Sequence, residues 1–416
     1  MEKKKVWLVS HYAMPPHLEV RIKTIRYAQI LQERGYDVLL VTASTIHNTD
    51  INLITDNSLY IEKEYEGLKY VHIACSNYKG SGLKRIVNML QFQRRFKNVM
   101  AKFEKPDVIV ADCNCINYRG LQKFAKKYGI AFVTEVRDLW PLSIVEYMGI
   151  SDKNPVIKYL YGQEKRMYKN SDAIIFSMPG GGDYIKDKGW EKQVSLDKVF
   201  NINNGIDVEE QQRQAKENAF SDPDLDDDSF KVIYCGSIRP ANNVKLLVGA
   251  AQIVGGKCRD IKFLIYGGGT YAETLKNEVK EKGISNVVFK GYVDKKFIPY
   301  IVSKASLNVL TYKNAKAWKY GGSQNKVFDY MNAGKPILTN IKMGRSVLEE
   351  CGCGIEVDTD DVEKFANAII EVHDLSQEIR LDMGERGKEK AKEFDFNVLT
   401  DKLEQVIDYA IEHKEK

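Results

Sequence analysis

The sequence predicts an α/β protein made of two Rossmann-like, doubly wound domains. Three observations predict it. With 416 residues the chain exceeds what one typical core accommodates. Short apolar runs alternate with amphipathic stretches along it, the pattern of βαβ units on a parallel sheet. That alternation pauses once, over a polar stretch at 209–230, and then restarts. The expected domains are 1–207 and 208–396, followed by an amphipathic tail helix.

In order, residues 6–9 read as a strand leading into an amphipathic helix, 21–34, that ends at Gly35. Strands follow at 38–41, 108–111, 131–133 and 173–176. The pause carries Asp222-Pro-Asp-Leu-Asp-Asp-Asp228, a loop or linker by composition. Its acids suit either a solvated turn or a cation, and the turn is the simpler reading. The second half supplies strands at 232–235, 261–266, 287–289, 307–310 and 336–338. In such sheets ligands bind beyond the carboxyl ends of the strands, so two of them are expected to face a central cleft.

Composition narrows the function. The 62 basic and 57 acidic residues leave a net charge of +5, and no nucleic-acid-reading motif occurs, so no nucleic-acid partner is expected. Seven scattered cysteines form no C-x-x-C spacing. They fit a reducing cytosol, where Cys acts as a small hydrophobe. A metal at Cys113 and Cys115 is disfavoured. The N-terminus runs straight into a strand, and no apolar run reaches the roughly 18 residues that span a bilayer. A cytoplasmic location is expected.

The longest motif is Ser323-Gln-Asn-Lys-Val-Phe-Asp-Tyr-Met-Asn-Ala-Gly-Lys-Pro-Ile-Leu338, a polar loop, a short helix and a strand. Lys326 and Asp329 share one helical face. That pair suits a diphosphate and a ribose, although a solvated ion pair would look the same. Tyr266-Gly-Gly-Gly-Thr270 opens a helix after a strand. Its glycines allow backbone N–H groups to approach an anion, or simply make a tight turn. Arg239, in Cys235-Gly-Ser-Ile-Arg-Pro-Ala-Asn-Asn243, either grips a phosphate or is an exposed loop arginine. In the first half, Glu135-Val-Arg-Asp-Leu-Trp-Pro141 places charge at a strand's carboxyl end, where Arg137 and Asp138 serve chemistry or pair structurally. Asp112 and Asn114 follow the preceding strand, and His11 follows the first.

Residues 83–103 form a basic amphipathic helix with no acid. Either its apolar stripe lies in the core or the helix rests on an anionic membrane surface. The run of Lys84, Arg85, Arg94, Arg95, Lys97 and Lys102 favours the membrane, at the inner leaflet.

Taken together, these residues resemble the family-4 retaining glycosyltransferases of the GT-B fold, of the bacterial capsule and O-antigen type. The likeness spans nearly the whole chain. It rests on the 26–38 helix-to-strand junction, Glu135-Val-Arg-Asp-Leu-Trp-Pro141, Asn204-Gly-Ile-Asp207, Tyr266-Gly-Gly-Gly269 and Lys326-Val-Phe-Asp-Tyr-Met-Asn-Ala-Gly-Lys-Pro336. The resemblance implies an acceptor-binding first domain, a donor-binding second domain, and a last helix, 397–416, packing back on the first. It places Asp329 at the donor ribose and Gly268 and Gly269 at the diphosphate. Arg239 and Lys326 match phosphate-binding cations. Tyr292 and Val293 lie where the base is held, with Asn325 beside the donor. His11, Asp112, Asn114 and Arg137 fall on the acceptor side, where Asp138 is the catalytic candidate.

Three departures stand out. Gly321 occupies the place of the family's first acid, Asn242-Asn243 replaces a Lys-Gly, and Pro15-Pro16-His17-Leu18-Glu19 replaces a glycine pair. The expected reaction is retaining transfer of a sugar from a nucleotide-sugar, UDP-linked, to a saccharide or polyprenyl-linked acceptor, without metal or cofactor. Two other classes stay open: a non-catalytic donor-binding partner of another transferase, and a nucleotide-sugar epimerase.

Overall fold

The computed structural model describes residues 3–15, 17–18, 22–47, 49–80 and 82–414. Pro16 and Glu19 of the proline stretch, Arg21 of the first helix and the last two residues of the tail lie outside them. The chain divides into two compact units, one running to Asn203 and resuming at Phe396, the other Asn204–Asp395. The division falls earlier than 207/208. The backbone N–H of Asn204 donates to the Ser323 hydroxyl (2.6 Å) and that of Ile206 to the Phe394 carbonyl (3.0 Å), which ties this stretch to the second unit.

The first unit holds β1 (Lys5–Ser10), β2 (Asp37–Ala43), β3 (Tyr60–Tyr65), β4 (Leu68–Ile73), β5 (Val108–Asp112), β6 (Ala131–Val136), β7 (Ala173–Phe176) and β8 (Val199–Asn201). They lie in the order β3-β4-β2-β1-β5-β6-β7-β8. All pairings are parallel except β3 with β4. Both faces are covered, so the central strands are mostly apolar and buried; every residue of β6 is buried, Thr134 and Glu135 included. The tail helix Phe396–Glu412 lays Phe396, Leu399, Leu403, Val406 and Ile407 into this core with Tyr27 and Val110.

The second unit holds β9 (Phe230–Cys235), β10 (Ile261–Tyr266), β11 (Val287–Gly291), β12 (Leu307–Leu310), β13 (Ile337–Thr339) and β14 (Gly354–Glu356), ordered β11-β10-β9-β12-β13-β14 and parallel throughout. This is the doubly wound order with its switch point between β9 and β12. Helix Gln377–Ala391 crosses the helix Asn325–Asn332 region backbone to backbone. A Cβ on Gly384 would lie 2.1 Å from the Gly334 carbonyl oxygen, so only glycine permits the contact.

Two readings are corrected here. The polar stretch 209–230 is largely helical. Val208–Glu217 is capped by Asp207 and Pro223–Asp226 by Asp222. Nor are its acids a solvated turn. Lys290 pairs with Asp222 (2.7 Å), Lys262 with Asp224 (3.0 Å) and Asp227, and Lys231 with Asp227 (3.3 Å), clasping the segment to β9, β10 and β11.

In helix Leu83–Met100, Met89, Phe92, Phe96 and Met100 are core residues. Arg95 donates to the Ala74 carbonyl (2.5 Å), and Arg85 lies over the Tyr12 and Trp140 rings. Leu83, Val87 and Leu90 remain exposed, with Lys84, Arg94 and Lys97.

Candidate donor site and a buried charge network

At the carboxyl end of the second sheet the glycine loops bind each other. Gly236 N–H donates to the Tyr266 carbonyl (2.9 Å), Gly267 N–H to Gly291 (2.7 Å) and Ile238 N–H to Gly268 (2.8 Å). A Cβ on Gly267 (φ +131°) would come within 1.8 Å of the Gly236 carbonyl oxygen, and one on Gly269 (φ +154°) within 2.3 Å of that of Ile238. Loop-to-loop packing therefore requires Gly267 and Gly269. Gly268, between them, faces open space.

Lys326 lies in the first turn of helix Asn325–Asn332, at the switch point. Its ammonium is 3.3 Å from the Tyr234 hydroxyl and 4.6 and 5.1 Å from the ring centroids of Tyr234 and Tyr312. Among the described residues no carboxylate pairs with it. Burial lowers its pKa to about 8, against the pull of Cys235 and Asp329. A helix N-terminus adds positive potential to the same place. A partly desolvated cation with no carboxylate partner among the described residues is suited to an anion.

Asp329, one turn on, does not pair with Lys326. Its carboxylate accepts from Gln211 Nε2 at 2.5 Å, and burial raises its pKa. Asn325 is exposed at the helix start. Arg239 is exposed and has no acidic partner among the described residues. Its loop is held against the loop after β12: the Thr311 hydroxyl donates to the Asn242 carbonyl (2.7 Å) and Lys313 N–H to that of Ala241 (2.9 Å). Directly after β11, Tyr292 is 75% exposed and Val293 half-buried.

The carboxyl end of the first sheet is different. Arg137 pairs with Glu135 (2.9 Å) and Asp112 (3.5 Å) and donates to the Thr24 hydroxyl (2.8 Å). Lys23 pairs with Glu135 (2.8 Å) and donates to the Ile202 carbonyl (3.2 Å), while the Ser10 hydroxyl donates to Asp112 (3.2 Å). Burial would raise the Glu135 carboxyl, but Arg137 and Lys23 outweigh it and hold the group well below the usual carboxylate range. For Asp112 burial prevails over Arg137 and raises the pKa. Arg137 thus pairs with Asp112 and Glu135 rather than with Asp138, which is exposed. Asn114 makes a local turn, its side chain accepting from Ile116 N–H (2.9 Å). His11 is not a surface group. It is 2% exposed, its Nε2 is 2.5 Å from Asn88 Oδ1, and burial drives its pKa down to about 4, so it is neutral.

Residues 24–210 match Glycosyltransferase Family 4, and residues 229–374 match Glycosyl transferases group 1. The first half is a family-4 glycosyltransferase domain and the second a group-1 glycosyl transferase domain. Solved structures similar to this glycosyltransferase include sucrose-phosphate synthase from Thermosynechococcus elongatus (15% identity, TM-score 0.71, covering 97% of this chain and 98% of that one). Trehalose 6-phosphate synthase from Burkholderia multivorans is 12% identical, with a TM-score of 0.72 and 98% of each chain covered. HepE from Anabaena is 13% identical, with a TM-score of 0.66 and coverage of 97% and 99%. At these identities the likeness speaks for the fold, GT-B. No curated protein matches the sequence.

Sequence reasoning about this glycosyltransferase missed Gln211, which orients Asp329, and the tyrosine pair beneath Lys326. Gln211 falls in the stretch read as linker. Tyr234 and Tyr312 sit in and just after apolar strands, where aromatics usually mean core. It also missed Lys23 as the partner of Glu135, because a lysine within a helix gives no sign of burial.

Proposed function

We propose that this glycosyltransferase moves a sugar from a UDP-linked donor to a saccharide or lipid-linked saccharide in cell-surface polysaccharide assembly, with retention of configuration and without a metal. The observation that carries the reading is Lys326, a cation with no paired carboxylate among the described residues, at the switch point of the second sheet. Neighbours in fold add support: HepE was solved with UDP and glucose and with UDP-glucose, and WaaG is described as a glycosyltransferase of lipopolysaccharide biosynthesis.

In this reading the bond from the sugar's anomeric carbon to the diphosphate oxygen breaks, and a bond to the acceptor oxygen forms on the same face. The acceptor's proton passes to the departing diphosphate. Lys326 and Arg239 offset the charge that develops there. Asp329, oriented by Gln211, accepts from the ribose hydroxyls, and Tyr292 and Val293 flank the base. The open Gly268 lets the diphosphate approach the backbone, with Asn325 beside the donor. Asp138 is the acceptor-side catalytic candidate, with His11, Asp112, Asn114 and Arg137 shaping that side from within. The exposed Leu83, Val87 and Leu90, flanked by Lys84, Arg94 and Lys97, rest on the anionic inner leaflet.

Calorimetry with UDP and GDP tests the reading. It expects UDP to bind, with turnover preserved in excess EDTA and an α-linked donor yielding an α-linked product. If neither nucleotide binds, the reading fails.

A further inference from the structure

Residues 295–328 contain Lys295, Lys296, Lys304, Lys313, Lys316, Lys319 and Lys326 and no acid. The surroundings treat these cations unequally. Toward the amino ends of the strands and along the clasp, lysines of the second unit are paired: Lys231, Lys262 and Lys290 with the 222–227 acids, and Lys304 with Asp226 (3.7 Å). At the carboxyl end, Arg239, Lys313, Lys316 and Lys326 have no acidic partner among the described residues. Acids nearby are engaged elsewhere. Asp360 accepts from Asn243 (3.2 Å) and Asn340 (3.4 Å), and Glu356 accepts from Met343 N–H (3.0 Å) and the Ser346 hydroxyl.

Arg239 and Lys313 lie on loops that hold one another, Lys316 follows three residues after Lys313, and Lys326 stands in the first turn of helix Asn325–Asn332. The bonds from Thr311 to Asn242 and from Lys313 to Ala241 fasten the loop after β12 to the one bearing Arg239. Strand order then assigns directions. With the base beside β11 and the diphosphate at the β9–β12 switch point, the transferred sugar points onward, toward the loop after β12. Gly321 and Gly322 sit at the far end of that loop and bring no carboxylate to it; the side chain against Gly322 is the uncharged Gln324 amide. A nucleoside diphosphate sugar brings one charge per phosphate, which Lys326 and Arg239 answer. Lys313 and Lys316 are both exposed and have no acidic partner among the described residues, which leaves two positive charges beyond those that answer the diphosphate.

Resting on the nucleotide-sugar reading above, we infer that the transferred sugar is itself anionic: the donor is a nucleotide-activated uronic acid, whose carboxylate meets Lys313 and Lys316. Such a contact is charge-assisted and excludes nothing sterically, so it favours the acidic sugar over its neutral counterpart by electrostatics alone.

Calorimetry on the full chain decides it, with UDP, UDP-glucose and UDP-glucuronate, and with GDP, GDP-mannose and GDP-mannuronate, each pair compared on the same base. The expected result is a uronate bound at least about tenfold more tightly than its neutral partner. That advantage should shrink as ionic strength rises from roughly 0.05 to 0.5 M. In the Lys313→Gln/Lys316→Gln double variant it should vanish, while the plain nucleotide binds within about twofold of the unaltered protein. Equal or tighter binding of the neutral sugar, with the nucleotide itself bound, overturns the uronate assignment and leaves the transferase reading standing. So does a preference that survives the double substitution or is indifferent to salt. Silence from every nucleotide overturns both.

Discussion

The carboxyl ends of the two sheets are built from similar residues to opposite effect. In the first unit two cations, Lys23 and Arg137, are matched by two acids, Glu135 and Asp112, in a closed network. In the second, Lys326 rests on two tyrosine rings with no carboxylate paired to it among the described residues. A charge matched within the fold stiffens a scaffold. A charge left unmatched costs stability until something from outside arrives. Equivalent positions in two related topologies can thus be read apart by their electrostatic completeness.

The largest effect that would break this contrast lies in the first unit. Glu135→Ala leaves Lys23 and Arg137 facing one acid in a buried setting and should cost about 3–5 kcal/mol in urea unfolding. A loss below about 1 kcal/mol would mean the network is not what stiffens this end. Next, Lys326→Met should weaken UDP binding by about 10–100-fold, roughly 1.4–2.8 kcal/mol. The melting temperature should hold or rise, because an unpaired, desolvated ammonium has gone. A variant that binds UDP normally would remove Lys326 from the site.

The third test is one of pH. Lys326 has a folded pKa of about 8, below its ordinary 10.5. The unfolded chain therefore binds more protons between those values, and ligand-free stability should rise with pH across that window. On the proposed reading donor binding draws on the ammonium, so it should fall as pH climbs through about 8. Titration calorimetry and thermal melts should move in opposite directions, and both trends should flatten in Lys326→Met. The smallest effect belongs to the clasp. Lys262→Gln loosens a partly exposed cluster and should cost under about 1 kcal/mol, with UDP affinity unchanged. A large loss of UDP affinity would tie the clasp to the donor site after all.

Much of the fold was legible because parallel strands buried on both faces leave unbroken apolar runs, as at β9 and β10. The β3–β4 hairpin was missed. Its first strand, Tyr-Ile-Glu-Lys-Glu-Tyr, is a polar edge with little apolar signal. The short β8 and β14 gave too little pattern to register. Helix Val208–Glu217 was hidden because Val208 is its one buried residue. Within the candidate site, Lys326 and Asp329 could be named from local spacing. Their surroundings could not: Gln211 reaches Asp329 across more than a hundred positions of chain, and no periodicity carries that information.

The contact between Gly384 and Gly334 has a mechanical consequence. At that point main chain presses on main chain, with no side chain between Gly384 and Gly334 to act as a bearing. Were Lys326 and Asp329 to shift as a substrate docks, the Gln377–Ala391 rod would have to travel with them. A probe attached to its distant outer surface would then register events at the opposite end of the lever.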